Sequence, residues 1–379
     1  MRHDLQVELL DEILGLRAVK SAYLDEAVTY SPIERYISAQ RFEAERDQVL
    51  RKSPQLVVHA SELAGEGDFV TRRISGVPVL LTRDRQGQVH AHYNVCRHRG
   101  AKLVEQDSGC KHRFSCPYHA WTWDNEGNFI NAPHKAQGFP DLETSDYGLK
   151  KIAVTEAFGW IWCQFDTSAA PMDIAAEFQD LSHEFEALAM QDMVVHACEQ
   201  HLWKANWKVL VEGGLEAYHF RVAHAKTIGT LFHDNLSTYR LFGPHFRSIL
   251  ARKTIDELIE VPRADWRLRE HANVLYNIFP SSAWLVQADH LVWIQFDARS
   301  ADETNVTIKT LRPRQDSALD EKHRKYWDKN QALTVMTLNE DFALAEQIQA
   351  NFETGVNSRV TFGKFEGALD RFNKIVDDK

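Results

Sequence analysis

Residues 94–121 read NVCRHRGAKLVEQDSGCKHRFSCPYHAW, and the use made of these cysteines and histidines decides the fold. Cys-x-His occurs twice, at Cys96/His98 and Cys110/His112, and Cys-x-x-His once, at Cys116/His119. The pairs Cys96/His98 and Cys116/His119 stand seventeen residues apart, which lets two short loops close on one object, each bringing a thiolate and an imidazole. Such a donor set suits a tetrahedral zinc site, or an iron–sulfur cluster in which two cysteines take one iron and two histidines the other. Cys110 and His112 fall outside it. Only three residues separate His112 from Cys116, too few for loops to approach from opposite sides, so both read as polar residues on the connection.

Working outward, the apolar period from about Leu56 is two. FVTRRISGVPVLLT reads as a strand pair about a Ser-Gly turn, RDRQGQ as a turn, VHAHYNVC as a strand, DNEGN as a turn, and AFGWIWCQF closes the block near Phe165. This predicts a small all-β domain over 56–165. The preceding residues 1–55 read as helical, with apolar spacing in VELLDEILGL and RFEAERDQVL, and are expected to pack on the last domain. In that last segment, 166–379, DIAAEFQDLSHEFEALAM looks helical and residues 271–313 read as three antiparallel strands joined at PSS and ARSADETN. The tail from Leu319 to Ile375 is again helical. The expected class is α+β: a small β domain beside an antiparallel sheet with long helices. No internal repeat or low-complexity segment is visible.

Bulk properties narrow the function. At 379 residues the chain is too long for one ordinary core. A net charge of −10 argues against a nucleic-acid surface, and no run of about 18 apolar residues exists to span a membrane. Acidic residues stand where a signal peptide would be apolar, so a cytoplasmic location is expected, and the five cysteines are expected free or metal-bound rather than paired.

A second constellation lies at 206–224, NWKVLVEGGLEAYHFRVAH. If its middle is helical, Glu216 and His219 are i, i+3 neighbours on one face, and His224 can turn back to the same point. Two histidines and a carboxylate with open positions are the facial triad of non-haem Fe(II) oxygenases. Downstream, LNEDFALAEQIQ offers Glu340, Asp341 and Glu346, and the residues alone leave the choice among them open.

The loops C-R-H-R-G and C-P-Y-H-A-W, followed by Glu216-x-x-His219-x₄-His224, resemble the α subunit of Rieske non-haem iron oxygenases over nearly the whole chain. The resemblance implies a Rieske [2Fe–2S] domain with ligands Cys96, His98, Cys116 and His119, and a helix-grip catalytic domain. There His219, His224 and Asp341 would hold a mononuclear Fe(II), with Glu346 and Gln349 on the same helix. Respiratory Rieske proteins carry an extra disulfide-forming cysteine in each loop. Here Ala101 and Tyr118 occupy those places, as in the ferredoxin and oxygenase type. Glu216 is implied to hydrogen-bond His219 and the His119 of a neighbouring subunit, which requires a closed head-to-tail ring, usually a homotrimer.

By the same resemblance the chain is the terminal oxygenase of a multicomponent system. NAD(P)H would be used by a partner reductase, with or without a separate ferredoxin, and O₂ would be spent on a small-molecule substrate, aromatic or otherwise apolar. The chain itself has no dinucleotide fingerprint, since Gly213 and Gly214 follow a helical run. Many relatives have side chains where these glycines stand, so the region near the iron is expected either roomier or kinked. Tyr276, Phe279, Trp284, Trp293 and Phe296 fall on the expected sheet, where some could wall a pocket for a flat apolar ring or cage a quaternary ammonium. The second outcome would make the chain an oxidative N- or O-demethylase. His233, His245 and His271 read as core or surface; His290, on an expected strand, could face the pocket. The readings of another class are a pure electron carrier and a zinc-stabilised binding protein.

Overall fold

The first fifty residues fold with the C-terminal half of the chain. A computed structural model describes residues 1–166, 172–315 and 319–379, and within them two compact units separate, one of residues 51–174 and one of 1–50 with 175–379.

The smaller unit is all antiparallel β. Its four-stranded sheet contains Asp68–Ile74 and Val77–Arg83, joined by Ser75 and Gly76, whose φ values of 49° and 79° suit a two-residue hairpin turn. A three-stranded sheet of Arg113–Ser115, Thr122–Asp124 and Phe129–Asn131 turns at Asp124, whose carboxylate accepts the N–H groups of Glu126 and Asn128. A third sheet joins Gln55–His59, Ala153–Ala157 and Trp160–Gln164. The bulky side chains of Phe69, Phe114, Trp121 and Trp123 pack together beneath the two ligand loops.

The larger unit is built on a seven-stranded antiparallel sheet: β1 (Met193–Trp203), β2 (Phe232–Phe242), β3 (His245–Arg252), β4 (Ala272–Ile278), β5 (Ser282–Val286), β6 (Leu291–Ala298) and β7 (Thr304–Pro313). Their spatial order is β1-β7-β6-β5-β4-β3-β2. Helix α1 is His3–Ala18, α2 Leu181–Leu188, α3 Trp207–Glu212, α4 Glu321–Phe352 and α5 Gly367–Asp377. One face of the sheet looks toward α3 and α4 through Leu275, Ala283, Ile294 and Phe296, which share a core cluster with Leu210 and Phe342. On the other face Tyr276, Trp284 and Trp293 are directly paired across β4, β5 and β6, and the α2 ring of Phe185 meets Tyr276 and Trp284 edge-on.

Three expectations change. The segment 271–313 holds four strands, because Gln287 donates to the His290 carbonyl (3.0 Å) and reverses the chain within a stretch that reads as one strand. That turn has no glycine or proline to announce it. The helical readings of the N- and C-terminal segments are each interrupted by a short strand, Thr29–Pro32 pairing with Arg359–Phe362. The helical stretch 173–190 breaks at Gln179, whose φ is 47°.

The N-terminal residues hold α3 in place. Lys208 is fully buried and its ammonium donates to both carboxylate oxygens of Glu45 (2.7 and 2.5 Å), which also accepts the Trp207 indole N–H (3.1 Å). Asn206 caps α3 by accepting from Lys208 N–H and donates to the carbonyls of Tyr36 and Ala301. The end of α3 is thereby tied to parts of the chain far away in sequence.

Candidate metal centres and active-site cavity

The two ligand loops of the smaller unit have the same backbone wiring. Cys96 N–H donates to the Ala101 carbonyl and Gly100 N–H returns to Cys96 (2.8 and 3.0 Å); Cys116 N–H donates to Trp121 and Ala120 N–H returns to Cys116 (2.8 and 2.9 Å). Gly100 and Ala120, at matching places, both have positive φ. The loops therefore present equivalent Cys-and-His pairs. Both cysteines are buried and close enough for their thiols to interact, and the Cys96 sulfur accepts the N–H groups of His98 and Arg99. The His98 and His119 rings are 4.9 Å apart. His98 lies flat on Trp121 (4.6 Å, 6°), and its buried Nδ1 has no hydrogen-bond partner among the described residues. A sulfur cradled by N–H donors and an orphaned imidazole nitrogen fit a metal cluster. His119 is exposed and stacks against Tyr118. Cys110 and His112 sit together on the surface, beside Gly67.

In the larger unit, α3 stops at Glu212, so Glu216 and His219 do not share a helix face as the sequence led us to expect. Gly213 and Gly214 begin a turn in which the Glu216 carboxylate accepts the backbone N–H groups of Tyr218 and His219 (3.2 Å for the latter) and the His219 Nδ1–H. The four-residue helix Phe220–Ala223 then delivers His224, and α4 delivers Asp341. His219, His224 and Asp341 are the group of metal-capable side chains found among the described residues with donor atoms all within 4.8 Å of one another. Asp341 Oδ1 is 3.0 Å from His224 Nε2 and 3.4 Å from His219 Nε2, and the two Nε2 atoms are 3.1 Å apart.

Each imidazole turns its other nitrogen to a carboxylate: His219 to Glu216, and His224 Nδ1 to Glu340 Oε2 (2.8 Å), which also accepts the Thr227 hydroxyl (2.6 Å). Glu340 thus backs His224, while Asp341 faces the cluster. Burial works against a charge on these rings, yet the Glu216 hydrogen bond and charge, with Asp341, raise His219, and Asp341 and Glu340 raise His224. Three converging lone-pair donors with carboxylate-backed imidazoles fit a divalent metal. Further along α4, Glu346 accepts Lys204 N–H (2.8 Å), and Gln349 accepts Asn206 N–H (3.1 Å) and donates to the Tyr36 carbonyl (3.1 Å); both fasten the helix rather than approach the cluster.

The cluster opens on a cavity of about 430 Å³, within the range of small-molecule sites. Its wall is mainly apolar, with Leu210, Leu275, Leu285 and Ile294 among the aliphatic side chains and Phe220, Phe232, Phe296 and Phe342 as its benzyl rings. Of the five sheet aromatics, some of which were expected to wall the pocket, Phe296 lines it. Tyr276, Trp284 and Trp293 occupy the opposite sheet face, and Phe279 packs toward Phe372 of α5. His290 is also outside the lining, held by Asp289 (2.7 Å) and edge-on to Trp327. His233 meets Asp256, His245 accepts Phe279 N–H, and His271 is bonded to the Thr254 carbonyl. Gly213 and Gly214 both line the cavity, and a Cβ on Gly214 would meet nothing closer than 3.5 Å, so the glycines end α3 and also leave room. Polar lining residues Arg252, Asn273 and Asn277 escaped the sequence reading. For the two asparagines the signal was the alternation in Asn273-Val-Leu-Tyr-Asn277, which puts both with Leu275 on the face opposite Tyr276.

Residues 172–379, more than half the chain, match the family described as the ring hydroxylating alpha subunit (catalytic domain), and residues 53–153 match the Rieske [2Fe-2S] domain. The glycine betaine monooxygenase oxygenase subunit of Pseudomonas aeruginosa is 32% identical over 196 residues, which are 52% of this chain and 45% of that protein. The anthranilate 1,2-dioxygenase large subunit of Acinetobacter baylyi is 28% identical over 205 residues, 53% of this chain and 43% of that one. The matched spans are thus about half the length of these relatives. The crystal structure of a quaternary ammonium Rieske monooxygenase in complex with its substrate L-carnitine superposes with a TM-score of 0.77 over 93% of this chain and 96% of that chain, at 22% identity. At that identity the likeness speaks for the fold. Among the described residues no helix is long and apolar enough to cross a membrane.

Proposed function

This chain belongs to the ring hydroxylating alpha-subunit family, and on that premise we propose that it is the terminal oxygenase of a multicomponent system, spending O₂ and electrons from NAD(P)H to oxygenate an apolar or aromatic small molecule. The observation that carries this reading is the convergence of His219 Nε2, His224 Nε2 and Asp341 Oδ1 on a largely apolar cavity. These three would hold a mononuclear iron, and Cys96, His98, Cys116 and His119 a [2Fe–2S] cluster. When bound, the cluster stores single electrons and the iron supplies redox chemistry with O₂. The protein's own work is positional. Glu216 and Glu340 fix the histidine tautomers and aim both Nε2 atoms inward, Asp341 adds the third donor, and the aliphatic wall keeps water from substrate.

NAD(P)H is used by a partner reductase, with or without a ferredoxin, in this reading. Glu216 is the electron bridge, engaging His219 of its own chain and His119 of a neighbouring copy, which is exposed in the smaller unit. Such a heterologous contact closes as a ring, and a homotrimer is the proposed assembly. A second reading, oxidative N- or O-demethylation, draws support from the quaternary-ammonium relatives. Single turnover tests both. The iron-loaded, pre-reduced protein is given O₂ with aromatic acids, polycyclic compounds and quaternary ammoniums, and the products are identified by mass spectrometry. A hydroxylated ring supports the first reading, and formaldehyde with a demethylated product the second. No oxygenated product from any compound, with both metal centres present, would place the substrate outside this panel.

A further inference from the structure

The cavity is lined by a cation that has no ion pair among the described residues. Arg252, the last residue of β3, lines it together with the polar Thr254 and Asn273. Its guanidinium donates to the Asn273 side-chain carbonyl, and no carboxylate among the described residues forms an ion pair with it. Asp289 is the carboxylate whose charge reaches it, but that group already accepts from His290 Nδ1 (2.7 Å) and the Tyr326 hydroxyl (2.6 Å). Arg269 stands near the same end of the cavity, its Nε donating to the carbonyl of the lining residue Gln287 (2.7 Å), and it too forms no ion pair among the described residues. Burial lowers the pKa of both guanidinium groups, and the charge of Asp289 works against that shift. A half-buried, unpaired cation is costly to maintain unless something anionic visits it.

A second observation is independent of the first. Asn277 lines the same cavity, is 5% exposed, and its buried Nδ2 has no acceptor among the described residues. It shares a strand face with Asn273, four residues or roughly 13 Å away along β4. At its end of the strand lies Gly214, which begins the turn carrying Glu216 and His219. Between the two asparagines the wall is Leu275 with its cross-strand partner Leu285. The cavity therefore offers a cation at one end of a strand pair, an apolar stretch, and an unmet amide donor at the other.

We infer that the substrate carries a carboxylate, held by Arg252, on an apolar body with a hydrogen-bond acceptor that Asn277 meets. The inference rests on the cavity being the substrate site of the oxygenase proposed above. It also narrows that site: a ligand that is purely cationic has no carboxylate of its own for Arg252, and the rings it meets in the lining, Phe220, Phe232, Phe296 and Phe342, attract a cation less than tryptophan does. A charged hydrogen bond of this kind makes a difference of about ten- to a hundredfold in affinity.

The test is calorimetric binding of matched pairs to iron-loaded protein: benzoate against benzamide, 3-phenylpropanoate against its amide, and γ-butyrobetaine against its amide. The expected result is at least one acid binding about tenfold or more tightly than its amide. Arg252→Gln should erase that preference and Arg252→Lys restore part of it, which a merely structural role would not do. Equal binding of acid and amide in every pair, failure of all three acids to bind, or a preference that survives Arg252→Gln would overturn the inference. Product analysis on the same samples separates the two claims. An acid that binds through Arg252 yet gives no O₂-dependent product leaves the carboxylate site standing and removes the oxygenase reading.

Discussion

The two candidate metal centres are assembled in opposite ways. In the smaller unit all four donors come from two loops with the same hydrogen-bond wiring, and Trp121 of the second loop is the surface on which His98 lies. In the larger unit the donors come from a turn, a four-residue helix and a 32-residue helix, and each histidine is oriented by a carboxylate behind it. The first centre is local and largely self-supporting. The second depends on α3 and α4 being held in register by contacts to the chain's first fifty residues, so its geometry is a property of the whole unit.

This difference can be broken at several points. The largest effect is expected at the donors themselves. Asp341→Ala or His219→Ala should lower oxygenation by well over about a hundredfold, the upper end of what losing an outer-shell partner costs, while the cluster's visible absorption persists. Cys116→Ser should do the reverse, bleaching the cluster and leaving the iron of the larger unit in place. Visible spectra and metal content of the three variants would show whether the centres are separable.

Next comes the support of the second centre. Glu45→Ala strands the buried Lys208 ammonium, and removing one partner of such a pair costs about 3–5 kcal/mol. The larger unit should unfold earlier by that amount in denaturant titrations followed by tryptophan fluorescence. The cluster absorption should hold to its original midpoint; a shared shift would show that the smaller centre is not self-supporting.

Glu340→Gln tests the carboxylate behind His224. Iron affinity should fall about ten- to a hundredfold in chelator competition, with no change in cluster content. The smallest effect sharpens the role of the interior around α3. Burial pushes the Glu212 carboxyl up to about 7, against donors from Tyr36 (2.8 Å) and Asn373 (2.7 Å) and the charges of Lys208 and Arg35. The folded state then keeps a proton that the unfolded chain releases near 4.5, so this group's contribution is full below 4.5 and lost as pH rises to about 7. Glu212→Gln should gain stability relative to the parent over that window, by at most about 1.4 kcal/mol per pH unit, and level off above it. Thermal melts across pH check the slope.

The same contrast explains what could be read before the structure. Cys96, His98, Cys116 and His119 lie on two loops close together in sequence, so spacing and flanking residues are enough to group them. His219 and His224 are likewise close in sequence, but whether Glu340 or Asp341 joins them depends on which side of α4 meets the turn, and one residue along a helix is a rotation of about 100°. The fold class was legible from periodicity and from the resemblance. The Thr29–Pro32 and Arg359–Phe362 ribbon was not, since four-residue strands paired across most of the chain leave no local period. Nor was the pocket wall: Tyr276 and Leu275 are neighbours in sequence, and alternation separates them onto two faces without saying which face holds the cavity.

Iron, zinc and acid-labile sulfide per chain, counted on anaerobically purified protein, test the central claim most directly. Two separate centres of the proposed kinds predict about three irons to two sulfides, with the third iron absent from Asp341→Ala. Zinc without sulfide, or an Asp341→Ala protein that keeps its third iron, would contradict it.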